Sequence, residues 1–265
     1  MHHSKKQTLE QQFTQKKIFQ KRNHPIFTFF LLILFQLSMW NVGWGQCINV
    51  FNGDKIITTQ AEFDAFVNAG YCSVTGNLSI SNLAIQNLSG LENITSIGED
   101  LLIQNNAALT SLEGLENITS IGIPFGGRLT IQDNDLLSSL EGLESLTRIS
   151  SLTIQDNDLL TSLEALENLT RIGGILTIQN NAALISLQGL ENTTSINNLS
   201  ILGNNLLSTL NGLESLTSVG VGSGGSVFIE DNDLLSSLEG LESLTGIGGR
   251  LSIVRNGLLL SLIHI

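Results

Sequence analysis

Ser151-Leu-Thr-Ile-Gln-Asp-Asn-Asp-Leu-Leu-Thr-Ser-Leu-Glu-Ala-Leu-Glu-Asn-Leu-Thr-Arg-Ile-Gly173 is one unit of a repeat that most of this 265-residue chain copies. Aligned on the first apolar residue, units begin at Leu78, Leu101, Leu129, Leu152, Leu176, Leu199, Val227 and Leu251. The spacings are 23, 28, 23, 24, 23, 28 and 24 residues. A fixed period of this size marks a solenoid, because one unit cannot bury its apolar side alone and must stack on its neighbours.

Within the unit the spacing changes character. Leu152 and Ile154 are two apart, so both point to one side of a short strand and Thr153 points to the other. Stacked units then build a parallel sheet. Leu160, Leu163, Leu166, Leu169 and Ile172 recur every three residues, which suits short extended or 3₁₀-like segments rather than a continuous amphipathic α-helix. Low helix content is expected.

Asn106, Asn134, Asn157, Asn181, Asn204, Asn232 and Asn256 share one register, three residues after the last inward strand residue. An inward Asn at a corner can bond backbone groups that the bend leaves unpaired, and copies in adjacent turns can bond each other as a ladder. The first unit lacks this Asn, since Ile80 is followed by Ser81, Asn82 and Leu83, so an irregular corner is expected there.

The pattern L-x-I-x-x-N, as in Leu152 to Asn157, resembles a leucine-rich repeat. The fuller unit from Gly98 to Ile121 more closely resembles the receptor L-domain family, and the resemblance covers roughly 75 to 265. That family includes ligand-binding halves of growth-factor receptors and many bacterial surface proteins. The resemblance implies a mainly β, parallel β-solenoid with a binding or surface role. It implies no ligand, because the matching positions are core positions.

Residues 1–45 read as a secretory signal peptide: Lys5, Lys6, Lys16, Lys17, Lys21 and Arg22 precede the apolar run Ile26 to Trp40 and the small residues Gly43 and Gly45. The apolar run is shorter than the ~20 residues of a spanning helix. Without 1–45 the chain carries 12 − 6 = 6 basic and 24 − 1 = 23 acidic residues, a net charge of −17. Such a surface disfavours nucleic acid and anionic membranes, and favours cationic partners or divalent ions.

Segment 46–75 is expected to cap the solenoid's first layer. Its Cys47 and Cys72 are the only cysteines and, in an exported chain, suggest a disulfide worth about 3 kcal/mol. Thr59-Gln-Ala-Glu62 has capping-box spacing before a short helix with Phe63, Phe66 and Val67 on one face and Gly70 at its end. The solenoid is expected over 76–265, with about eight turns. Its last unit stops at Ser261-Leu262, with Ile263-His-Ile265 where Glu-Gly-Leu should follow. The expectation is a truncated reading frame whose bare last layer is open to end-to-end self-association.

Catalytic chemistry finds little support. The four histidines are His2, His3, His24 and His264, so the solenoid offers no imidazole as base or zinc ligand. Asp133, Asp135, Asp156 and Asp158 lie on adjacent units, where stacked carboxylates could share a calcium ion, although Asp is also a common corner residue. No other cofactor is indicated. The sheet's outward columns carry Thr130, Thr153 and Thr177 beside Gln132, Gln155 and Gln179, an array able to hydrogen-bond a glycan or extended peptide.

Two units are lengthened on the same corner, at Ile123-Pro-Phe-Gly-Gly127 and Val221-Gly-Ser-Gly-Gly225, four turns and roughly 19 Å apart, and could frame a site. Phe125 and Phe228, beside these loops, are candidate contact residues. The sequence therefore suggests an exported, non-catalytic recognition or adhesion module for an extracellular glycan or protein. A structural spacer is the alternative, and a polysaccharide-active enzyme a distant third.

Overall fold

The computed structural model describes residues 47–122 and 126–259. The expected leader, Phe125 and the tail from Ser261 lie outside the described residues. Each unit contributes one strand to a nine-stranded parallel sheet that follows sequence order: Lys55–Ile57, Leu78–Ser81, Leu101–Gln104, Arg128–Gln132, Ser151–Gln155, Ile175–Gln179, Asn198–Leu202, Val227–Glu230 and Leu251–Val254. Register is strict. Leu129, Leu152, Leu176, Leu199 and Val227 are successive partners, as are Ile131, Ile154, Ile178, Ile201 and Ile229, and all are fully buried. A slip by one residue would turn this apolar ladder outward, so the alternation fixes the pairing.

The sheet has one strand more than the eight units read from the sequence. Lys55–Ile57 pairs with Leu78–Ile80, and Ile57 fills the inward position beside Ile80. The repeat pattern misses this strand because Lys55 stands where the first inward Leu should be. The segment expected as a cap thus supplies the first strand of the main sheet. The helix Gln60–Ala69 begins with the expected capping box between Thr59 and Glu62 and ends at Gly70 in left-handed conformation. Three hydrogen bonds from Thr58 and Thr59 onto Oε2 hold the exposed Glu62 carboxyl below its ordinary pKa. The rings of Phe66, Phe51 and Tyr71 pack together, with Lys55 Nζ 5.9 Å from the centroids of Phe51 and Phe66. The Cys47–Cys72 disulfide ties the start of the cap to its end, with Cα atoms 5.4 Å apart.

Every main-sheet strand after Lys55–Ile57 is followed by a left-handed residue. Asn82, Asn105, Asp133, Asp156, Asn180, Gly203, Asp231 and Arg255 occupy this column with φ between 52° and 65°. Asn, Asp and Gly tolerate that region best, which accounts for the Asp-Asn pairs of the repeat. The next residue is the inward Asn. Asn157 Oδ1 accepts from the backbone N–H and Nδ2 of Asn134, both at 3.3 Å, while its own Nδ2 donates to the carbonyls of Ile131 and Gln155. The same set recurs from Asn106 to Asn256. In the first full unit Leu83 stands in this register. Its N–H donates to Asn106 Oδ1 and Asn82 keeps the left-handed bend, so the corner expected to be irregular keeps a regular backbone.

The triplets beyond the corner close successive i to i−3 hydrogen bonds, such as Leu109 to Asn106, Leu115 to Leu112 and Ile118 to Leu115. Their geometry depends on one glycine per unit. Gly114, Gly142, Gly189, Gly212 and Gly240 have φ of 105–111°, and a Cβ there would lie 2.0–2.1 Å from a carbonyl oxygen of the turn before. At Ala165 the side chain forbids this conformation, and the chain runs as a 3₁₀ turn over Glu164–Leu166 instead. The main sheet is not the whole β structure. Two-residue strands form a second side of the solenoid, six of them from Val50–Phe51 to Arg171–Ile172 and three from Ser195–Ile196 to Gly246–Ile247.

Two substitutions measure these constraints. Gly142→Ala is expected to lower unfolding free energy in urea by about 2 kcal/mol or more, whereas Ala165→Gly stays within about 1 kcal/mol of wild type. Asn157→Ala strands the buried N–H of Asn134 and the carbonyl of Ile131, and is expected to cost about 3 kcal/mol in the same measurement.

Candidate functional site

The outward columns of the main sheet form its most regular exposed face. Thr130, Thr153, Thr177, Ser200, Phe228 and Ser252 are successive Cα partners, and all but the buried Ser252 are half-buried. In the neighbouring column Gln132 Nε2 donates to Asp133 Oδ2 at 2.9 Å and Gln155 Nε2 to Asp156 Oδ2 at 2.7 Å. These two amides are therefore held in place by the neighbouring carboxylates. Gln179 is followed by Asn180, which donates to Asp156 Oδ1 at 2.9 Å. Phe228 interrupts the hydroxyl column, and the Arg250 guanidinium lies 5.8 Å from its ring centroid. Beyond it Arg255 bonds Glu230 and Asp231; its hydrogen bonds hold the Asp231 carboxyl below the ordinary carboxylate range, and the arginine is held charged in return.

The candidate calcium ligands are not gathered into one set. Asp133 and Asp156 sit in the left-handed column and take the glutamine amides, while Asp135 and Asp158 are exposed one residue past the Asn ladder. Among the described residues no group of three or more His, Cys, Asp or Glu side chains converges on a point. The histidines all lie outside the described residues.

The repeat pattern does not reveal the second side, where periodicity is broken. Thr119, Thr147 and Thr170 each donate Oγ1 to the carbonyl of the equivalent Thr one turn before, and Thr217 and Thr245 do the same further along. The ladder of short strands divides between Arg171–Ile172 and Ser195–Ile196. At that division Thr193 stands where the other units place Ile94, Ile118, Leu146, Leu169, Leu216 and Leu244. It is 1% exposed, and its hydroxyl has no hydrogen-bond partner among the described residues. The preceding corner also carries an extra residue at Gly173-Gly174.

A cleft of about 600 Å³ opens at this division, within the ~300–1,000 Å³ range of ligand pockets. Thr170 to Gly173 form one wall, Thr194 to Asn197 the floor, and the long loop from Ser218 to Ser223 the other wall. The Ser223 hydroxyl lies within hydrogen-bond reach of Asn197 Oδ1 and the Gly220 carbonyl and shares its one proton between them, which anchors the loop against the floor. No carboxylate lines the cleft. Arg171 does, and its strand partner is Arg148. Both are exposed, and neither has an ion-pair partner among the described residues.

A parallel solenoid with an L-x-I-x-x-N unit and a buried Asn ladder defines a leucine-rich type of repeat protein. Within it, residues 72–165 match the family model of the receptor L domain. The same unit continues in register through the later turns. Comparison with curated proteins and with solved structures gives no match. Among the described residues no helix is long and apolar enough to cross a membrane.

The orphaned hydroxyl at the division gives a direct test. Thr193→Val keeps the side-chain shape and removes the unpartnered group, so it is expected to raise the urea midpoint by the equivalent of about 1 kcal/mol. A lower midpoint would mean that the hydroxyl is bonded in the folded protein.

Proposed function

We propose that the protein is an exported, non-catalytic recognition or adhesion module that binds an extracellular glycan or protein on the outward face of its main sheet. The observation that carries this reading is the in-register array of Thr130, Thr153 and Thr177 beside glutamine amides already oriented by Asp133 and Asp156. Groups held in place before contact lose little freedom on binding, so a flat polar face of this kind favours association. Phe228, with Arg250 against it, supplies an aromatic anchor at one end of the array. The disulfide and the receptor L-domain match support an oxidising, extracellular location.

The experiment is a binding screen of the purified protein against arrays of cell-surface glycans and surface proteins. Any hit is then measured with Phe228→Ala and Gln155→Ala, each expected to weaken binding about tenfold or more. Hits unaffected by both substitutions would move recognition off this face. A screen without hits would favour the spacer role, and turnover of a polysaccharide would replace both readings with an enzyme.

A further inference from the structure

The second side of the solenoid carries a chemistry opposite to that of the chain as a whole. Residues 46–265 hold only six basic side chains, namely Lys55, Arg128, Arg148, Arg171, Arg250 and Arg255. Four are engaged: Lys55 over two rings, Arg128 with Asp100, Arg250 over Phe228 and Arg255 with Glu230 and Asp231. The remaining two, Arg148 and Arg171, face the same way on adjacent strands about 4.8 Å apart. The same column carries Ser73, Ser96 and Ser120 before them, and Ser195 and Ser218 after them. Like charges directly across a strand pair destabilise it by a few tenths of a kcal/mol or more. Serine would avoid that cost, so packing gives no reason for the pair.

A ligand does give a reason. Arg171 forms part of the cleft wall, and every other polar group on the cleft is a hydroxyl, an amide or backbone, including Thr170, Thr194, Ser195, Asn197 and Ser223. Guanidinium groups bind planar or tetrahedral oxyanions through paired hydrogen bonds, while hydroxyls and amides pair with sugar hydroxyls. An acidic peptide would satisfy the arginines, but the lining offers only Ile172, Ile196 and Val221 as apolar contacts for its other side chains. The net negative charge elsewhere does not forbid such a site, since charges beyond about 8 Å are largely screened at physiological salt.

We propose that Arg148, Arg171 and the cleft beside them form a second binding site, for an anionic glycan whose carboxylate or sulfate sits between the two guanidinium groups. The bound sugar rings lie along the cleft floor against Ser195 and Asn197, bounded by the loop from Ser218 to Ser223. This site lies off the main sheet face and stands or falls separately from the function proposed above.

Calorimetric titration of the purified full chain tests it, with oligogalacturonate, sulfated dextran, neutral dextran and poly-glutamate as probes. One or both anionic glycans are expected to bind, which of them reporting carboxylate or sulfate preference, with affinity falling as salt is raised. Arg171→Ser is expected to weaken that binding at least tenfold and the Arg148→Ser/Arg171→Ser pair to abolish it. Serine is the residue that five of the other turns carry here, so melting temperatures should stay equal to wild type or rise. Phe228→Ala should leave the titration unchanged. Unaltered binding by the double variant, equal or tighter binding of poly-glutamate, loss of binding in Phe228→Ala, or no binding of either anionic glycan would each overturn the proposal.

Discussion

From Asn134 to Asn256 the side-chain oxygen of each ladder asparagine is shared between two donors on the turn before it, and its amide nitrogen returns to a strand carbonyl of that same turn. No turn can therefore satisfy its own corner. Asn157 completes Asn134 and is completed by Asn181, and the run closes only at Leu83, where a backbone N–H takes the last oxygen. These groups are buried, and leaving one unmade costs about 1–3 kcal/mol. The left-handed residue before each Asn follows from this requirement, because the chain must bend sharply to aim the amide inward. The close approach of successive turns also leaves no room for a Cβ at the glycine column, where the carbonyl of the preceding turn stands 2.0–2.1 Å from its position.

The same stacking explains part of the acidity. In the Gly-Leu-Glu segment, Glu92, Glu116, Glu144, Glu191, Glu214 and Glu242 each accept from the glycine N–H two residues earlier. That N–H is exposed by the turn and needs an acceptor, so a carboxylate recurs in every such unit. Six of the chain's 24 acidic residues are placed by this local bond repeated along the solenoid. Read as a preference for cationic partners, the net charge overstates the case, since the surface is divided by column and the cleft carries no carboxylate.

The positions legible in the sequence are those that repetition makes conspicuous. Leu152, Ile154, Asn157 and the leucine triplets recur in unit after unit and are buried where the spacing places them, except in the last two units, where Leu238, Leu244 and Ile253 are partly buried and Leu251 is exposed. The helix was legible from Thr59, Glu62 and Gly70 because capping chemistry is local. What escaped was too short or too singular to repeat. A strand such as Arg171–Ile172 has one inward residue and so no alternation to detect. Lys55–Ile57 lacks the leading Leu and the Asn that identify a unit. Thr193 differs from Leu by a change that composition cannot weigh, yet the division of the second sheet falls beside it.

Departures from a repeat are informative when they coincide. The paired arginines, the extra residue at Gly173-Gly174, the threonine in a leucine column and the lengthened loop from Gly220 to Gly225 fall within four successive turns, on one side of the molecule. Each works against the stacking that stabilises the other turns: one sets like charges together, one buries an unpaired hydroxyl, and two interrupt the period. Scattered along the solenoid they would be tolerated irregularities. Gathered around one cleft they share a single explanation, because opening a cavity requires separating strands that repetition would otherwise pair. The regular turns supply the rigidity and this irregular side supplies the shape, a division of labour that a perfect repeat could not provide.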